Sequence, residues 1–434
     1  VADDIATSLH RDHPPPLTGG HPILFVSHQA SRTGAPHVLL HLLRWARRYT
    51  DLSFHVLLLR GGPLEPEFRA IADVTVLTDV PFGPELTLAE RVLATHKSMS
   101  VSRAITTLFR LRLRHLRGVG VVYLNSVCSV PALRFLPSRP RVVITHVHEL
   151  RMGIDSALSP SIVAPLADAD RRDPLRSTDL FIAAADCVTE ELIARGIPAG
   201  RIRRHHEFID VERTLASPDR SADARAALGL RPSTRVIVGS GTIEWRKGPD
   251  LFVHLARTIV GRRPDDDLYY LWVGGGGDDN AGSGGWTLLD DVRRSGLARY
   301  VGFVPEHPVP TVYYRLADVF VLTSREDPLP LVSLEASLLG KPVVSFDSGG
   351  MREFLSGGAG FVVPYLDVEA MADAVEALLD DPSRRRWVGE TAAARVRERH
   401  DVMVAAPRLL NDVIGEITAR FGEPDQTVGR GRFR

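Results

Sequence analysis

Cysteine is almost missing from this chain. Its 434 residues hold two, Cys128 and Cys187, too few for a disulfide framework and in keeping with a reducing compartment. Neither sign of charge dominates: 53 Lys and Arg stand against 53 Asp and Glu, so nothing argues for nucleic-acid binding through bulk charge. No apolar run nears the ~20 residues of a spanning helix. The first twenty residues are polar, hold His and Pro and lack an apolar core, so a signal-peptide pattern is absent. The expectation is a cytoplasmic protein. No repeat of solenoid length is visible. The Gly-x-Gly-x-x-Gly fingerprint is also missing, which argues against a dinucleotide dehydrogenase.

What is present is alternation. Short apolar runs at 23–26, 54–59, 74–77, 121–124, 142–145 and 180–184 read as buried parallel strands, separated by helical spacing. A second series follows at 236–242, 268–273, 301–303, 319–322 and 342–346. Two doubly wound α/β domains result. The expected division is a mobile arm over 1–20, a first Rossmann-like domain over 21–212 and a linker over 213–233. A second domain covers 234–404, a terminal helix 405–421, and a mobile tail 422–434.

The most informative stretch runs from Ala317 to Ala336. Val319 to Leu322 is a strand, Thr323 to Pro328 its loop, and Leu331, Leu334 and Leu338 open a helix that Gly340 stops. Pro330 suits a first helical turn. The N–H groups of Leu331 and Val332 at that helix start are an anion site in waiting. Glu335 shares their face and leans back toward them. A carboxylate there should bind hydroxyls, because a phosphate beside it would be repelled. The plainer alternative has Asp327 capping the helix and Glu335 solvated.

Asp327, seven residues, then Glu335-Ala336 and a Gly-Lys-Pro-Val-Val strand entry resemble the Glu-x7-Glu signature of the family 4 retaining glycosyltransferases of the GT-B fold. Asp327 stands where the family usually has Glu, and Pro330 where it often has Gly. The resemblance covers about 21–421 and is stronger in the second half. It implies two domains facing a cleft and a metal-independent, retaining transfer from a nucleotide diphosphate sugar donor to an acceptor hydroxyl, with no cofactor. By resemblance, Asp327 and His148 face the donor sugar and Glu335 the nucleotide ribose. Lys247 matches a Lys placed on the diphosphate, Arg246 can supply a second cation, and Thr242 stands where the family has Arg. Gly34 matches a glycine loop that approaches the donor phosphates. The competing class is a non-catalytic sugar-nucleotide-binding protein or partner subunit of the same fold.

Two metal patterns carry less. His146 and His148 point the same way on an extended segment, but no convincing third ligand follows. Asp168-Ala169-Asp170 looks like an Asp-x-Asp motif, yet it sits in a helix-end composition of solvated acids. No metal is expected. The basic and apolar run 108–117 reads first as an amphipathic helix with solvated arginines over the core. Its alternative is a peripheral membrane contact.

Overall fold

The computed structural model describes residues 21–78, 99–158, 174–275 and 283–422. Within them lie two sheets. The first is built from β1 (Ile23–Ser27), β2 (Phe54–Arg60), β3 (Asp73–Thr78), β4 (Val121–Asn125), β5 (Val142–Val147), β6 (Leu180–Ala183) and β7 (Ile202–Arg204). Its order is β3-β2-β1-β4-β5-β6-β7, with β1 parallel to both β2 and β4. The second contains β8 (Arg235–Ser240), β9 (Leu268–Val273), β10 (Val301–Val304), β11 (Val319–Leu322), β12 (Val343–Phe346) and β13 (Gly360–Val363). Its order is β10-β9-β8-β11-β12-β13. Both windings start in the middle, run to one edge, then restart beside the first strand. This is the doubly wound α/β architecture that the alternating runs imply.

The chain divides into two compact units. One comprises 1–147, 157–182 and 406–434; the other comprises 148–156 and 183–405. The last helix, Val402–Phe421, therefore begins in the second unit and continues in the first. Within the first unit its end is fastened by Arg141, whose guanidinium lies 4.2 Å from the Phe421 ring centroid and donates to the Arg420 carbonyl at 2.8 Å.

Several expectations are corrected. The stretch 213–233 is no featureless linker: it carries most of the helix Val211–Leu215 and all of Ser221–Ala227. Asp210 caps the former by accepting from Arg213 N, which is why a polar composition still folds there. The Gly-, Asp- and Ser-rich composition of 274–285 reads as a loose surface loop, but its last three residues open the helix Ser283–Arg294. There Leu288 and Val292 are buried four residues apart, a helical spacing that a Gly-rich composition masks. His146 lies inside β5, not beyond it. In the helix Met99–Arg112, Leu108 and Leu111 are 62 % and 60 % exposed while the following Leu113 and Leu116 are buried. Two of its apolar residues thus face water beside arginines instead of covering a core. The candidate arm 1–20, most of the tail and the pair Asp168 and Asp170 lie outside the described residues. No described helix is long and apolar enough to cross a membrane.

The largely aliphatic core of the second unit holds an aromatic cluster. Phe252, wholly buried, meets the Trp272 ring edge-on at 5.3 Å and that of Tyr270 at 6.2 Å. These contacts lock the helix Pro249–Arg262 onto β9 and β8. Phe252→Ala should lower unfolding free energy by about 3–5 kcal/mol, the usual cost of a large buried cavity. Urea denaturation followed by Trp fluorescence measures it.

Candidate functional site

In an open parallel sheet, ligands bind where two adjacent strands send their following loops to opposite sides. In the second sheet that point lies between β8 and β11. The loop after β8 holds Thr242, Arg246 and Lys247, and the loop after β11 holds Asp327. The two loops are stitched together. Arg325 N donates to the Arg246 carbonyl at 2.7 Å, and Thr323 Oγ1 to the Gly248 carbonyl at 2.8 Å. Arg325 also forks onto Asp250 at 2.8 and 2.6 Å and lies over the Trp245 ring. Gly248 is required here. Its φ is +68°, and a Cβ would fall 2.1 Å from the Thr323 carbonyl oxygen.

This stitching delivers Lys247 to Asp327: the Lys247 ammonium is ion-paired with Asp327 Oδ2. Arg246 Nη1 is 3.8 Å from the same oxygen and donates to the Glu326 carbonyl at 3.1 Å. Ser324 Oγ donates to Asp327 Oδ2 at 3.3 Å. Asp327 is buried, at 6 % exposure, and a buried carboxylate needs such partners. Arg246 also reaches Glu244 at 2.9 Å, and Glu244 accepts from Thr242 as well. The two candidate phosphate cations are thus balanced by Asp327 and Glu244.

The loop after β11 is backed by the turn after β12. Asp327 bridges Gly349, and Gly350 N donates to the Pro328 carbonyl at 2.6 Å. A Cβ on Gly349 would lie 1.8 Å from the Asp327 carbonyl oxygen, so only glycine permits this approach. Pro330 is extended (ψ 131°) and serves as N-cap, one position earlier than a first-turn proline, and the helix Leu331–Leu338 follows. The N–H groups of Leu331 and Val332 have no intrahelical acceptor. Glu335 is half-buried, and burial pushes its carboxyl up to about 7. Its carboxylate has no hydrogen-bond partner among the described residues. Such a group is held ready for a donor that the protein does not supply.

His148 follows β5 and lies in the second unit. Its Nδ1 is 2.6 Å from Glu207 Oε1, with both side chains buried. Burial disfavours the charged ring, but Glu207 outweighs it and raises the pKa above the usual histidine value. Histidine and glutamate both ligate metals, so the structure places beside His148 the carboxylate that the sequence did not reveal. Gly34 is the first residue of the helix Gly34–Tyr49, not part of a preceding loop, and a Cβ there meets nothing within 4 Å. The backbone at that position does not call for glycine.

Three acids have partners that sequence reasoning did not name. Glu207 pairs with His148. Glu326 accepts from Met152 N at 3.0 Å and Gly153 N at 3.3 Å, capping the helix Arg151–Ala157. Glu353 accepts from Asp186 N at 3.0 Å and pairs with His206 at 2.7 Å. Gly349-Gly350 and Glu353 resemble the family's Gly-Gly-x-x-Glu segment near the donor, and Glu207-Phe208 stands where the family usually has Asn-Gly. Those were the available signals, and neither named the partner.

Residues 234–381, which span this switch point, match the family model described as Glycosyl transferases group 1. The chain is similar to that group and to enzymes of the same family. A lipopolysaccharide core biosynthesis mannosyltransferase LpsB of Rhizobium meliloti (strain 1021) is 33 % identical over 193 residues, covering 43 % of this chain and 53 % of that protein. A D-inositol 3-phosphate glycosyltransferase 1 of Catenulispora acidiphila is 27 % identical over 362 residues, covering 80 % and 82 %. The chain spans about half the length of the first relatives it matches. Among solved structures, Anabaena Alr3699/HepE in complex with UDP and glucose aligns with a TM-score of 0.69 at 18 % identity, over 90 % of this chain and 98 % of that one. Sucrose-phosphate synthase from Thermosynechococcus elongatus aligns with a TM-score of 0.66 at 20 % identity, over 92 % and 100 %. The fold is GT-B.

Glu335 yields a prediction with a definite sign. A carboxyl whose folded pKa is raised costs nothing below its unfolded value near 4.5. The cost grows as pH rises toward 7, where the folded group must ionise as well. Glu335→Gln should therefore leave stability unchanged at pH 4 and raise it by about 3 kcal/mol at pH 8. Urea denaturation at the two pH values checks it.

Proposed function

We propose that the chain is a retaining, metal-independent glycosyltransferase that moves a sugar from a nucleotide diphosphate sugar to an acceptor hydroxyl, in glycan, glycolipid or glycosylated-metabolite biosynthesis. The observation that carries this reading is the meeting of Lys247, Arg246 and Asp327 at the β8–β11 switch point, within the segment that matches group 1 glycosyltransferases. A leaving nucleoside diphosphate gathers negative charge, and cations already fixed in place stabilise it without reorganising. In this proposal Lys247 and Arg246 take the diphosphate, assisted by the N–H groups of Leu331 and Val332. Glu335 takes the ribose hydroxyls, and Asp327 and His148 take the sugar. No nucleophile is assigned, so displacement occurs on the face of the leaving group, assisted by its phosphate. The UDP and UDP-glucose named for the Anabaena protein make uridine sugar nucleotides the first donors to try.

Incubation with UDP-glucose, UDP-N-acetylglucosamine and GDP-mannose should release free nucleoside diphosphate slowly from one of them, with EDTA present or absent. Activity lost to EDTA and restored by a divalent ion would overturn the metal-free mechanism. Binding without release from any donor would favour the non-catalytic reading. Lys247→Ala should weaken nucleoside diphosphate binding roughly ten- to a hundredfold, the worth of a charge-assisted hydrogen bond of about 1.5–3 kcal/mol. Glu335→Gln should weaken the bare diphosphate by a similar factor. Asp327→Asn should spare the bare diphosphate, because it releases Lys247, and weaken only the intact sugar nucleotide. Isothermal titration separates these outcomes.

The exposed Leu108 and Leu111 beside Arg110 and Arg112 support a peripheral membrane contact through 108–117 as part of this proposal. Co-sedimentation with vesicles containing phosphatidylglycerol should occur, and Leu108→Ser with Leu111→Ser should abolish it.

A further inference from the structure

Glu207 is a carboxylate at 5 % exposure. Burying an acid is costly unless it is paired, and its Oε2 has no hydrogen-bond partner among the described residues. A neutral amide would fill the same place at lower cost, so the charge itself must serve something. Its one ion-pairing partner among the described residues is His148, 2.6 Å away and equally buried. The backbone that presents Glu207 is pinned. His400 Nδ1 donates to the Glu207 carbonyl at 2.9 Å. Ile209 N donates to the His400 carbonyl at 2.9 Å, and Val402 N to that of Ile209 at 2.8 Å. Phe208 and Ile209 are wholly buried. On the other side, His148 N donates to Glu149 Oε2 at 3.0 Å, so ring and main chain are each held by a carboxylate.

We propose that Glu207 is a positioning residue for His148: its carboxylate accepts the Nδ1 proton, fixes the plane of the ring and settles which ring nitrogen is protonated. This deepens the glycosyltransferase reading and rests on it for the role of His148. A hydrogen bond at one ring nitrogen determines the tautomer at the other. Glu207 and Glu149 both act in the same direction, favouring the imidazolium over the buried neutral ring. The positioned ring is then a charged hydrogen-bond donor toward the donor sugar.

The test has two readouts. First, ¹⁵N-histidine NMR, with His148 identified through His148→Asn, follows the ring itself. In the wild type Nδ1 should stay protonated across the titration. In Glu207→Gln the amide oxygen still accepts from Nδ1, but the titration should move down by about one pH unit or more, because the charge is gone. Second, nucleoside diphosphate release from UDP-glucose, UDP-N-acetylglucosamine or GDP-mannose is followed against pH. The alkaline limb of kcat should move down with the ring in Glu207→Gln while KM changes less than about twofold. In a His148→Asn background the same substitution should have almost no further effect on kcat, within about twofold.

An unmoved titration in Glu207→Gln overturns the proposal. So does a loss of kcat that persists undiminished in His148→Asn, since Glu207 would then act without the ring. If the wild type releases diphosphate from none of the three donors, the glycosyltransferase reading fails, and the NMR titration still decides whether Glu207 governs His148.

Discussion

The ion pair between Lys247 and Asp327 is the contact on which the rest of the site depends. It joins loops that leave the sheet at neighbouring strands and diverge. Divergence is what makes a crevice at a switch point, but a crevice alone is not a site. Here a cation of one loop is held by a buried acid of the other. Breaking one member of such a pair leaves the other without its partner, so the two residues are energetically coupled. The surrounding oddities follow from the same need for closeness. Gly248 lets the β8 loop touch the Thr323 carbonyl, and Gly349 lets the β12 turn back the carbonyl of Asp327.

The second unit spends carboxylates in three different ways. Asp327, Glu207 and Glu353 are paired, to Lys247, His148 and His206 respectively. Glu326 is spent on the main-chain N–H groups at the start of a helix, where the dipole favours an anion. Glu335 alone among these five has no partner, and its raised pKa records what that isolation costs. A half-buried acid without a partner is a poor choice for stability, so its retention argues for a ligand.

The architecture was legible because its signals are local. Apolar runs such as Val319–Leu322 are strands whatever surrounds them, and helical spacing after Pro330 marks a helix before any neighbour is known. The switch point between β8 and β11 needed the strand order, which alternation does not give. Where composition misled, a second force was at work: Asp210 caps a helix in the polar stretch, and burial of Leu288 and Val292 supports the helix that begins at the end of a Gly-rich one.

Residue types and their order along the chain, then, determined the two doubly wound halves, the loop that bears Asp327, the helix start at Leu331 and the reach of Glu335. Tertiary structure decided the partners. Lys247 and Asp327 are separated by 80 positions, His148 and Glu207 by 59. No periodicity or propensity links residues so far apart. Only the folding of successive strands into one parallel sheet brings their loops together, and only burial then makes an acid choose one cation among many. The sequence thus names the groups able to do chemistry, while three-dimensional proximity and exclusion of water determine which of them act on one another.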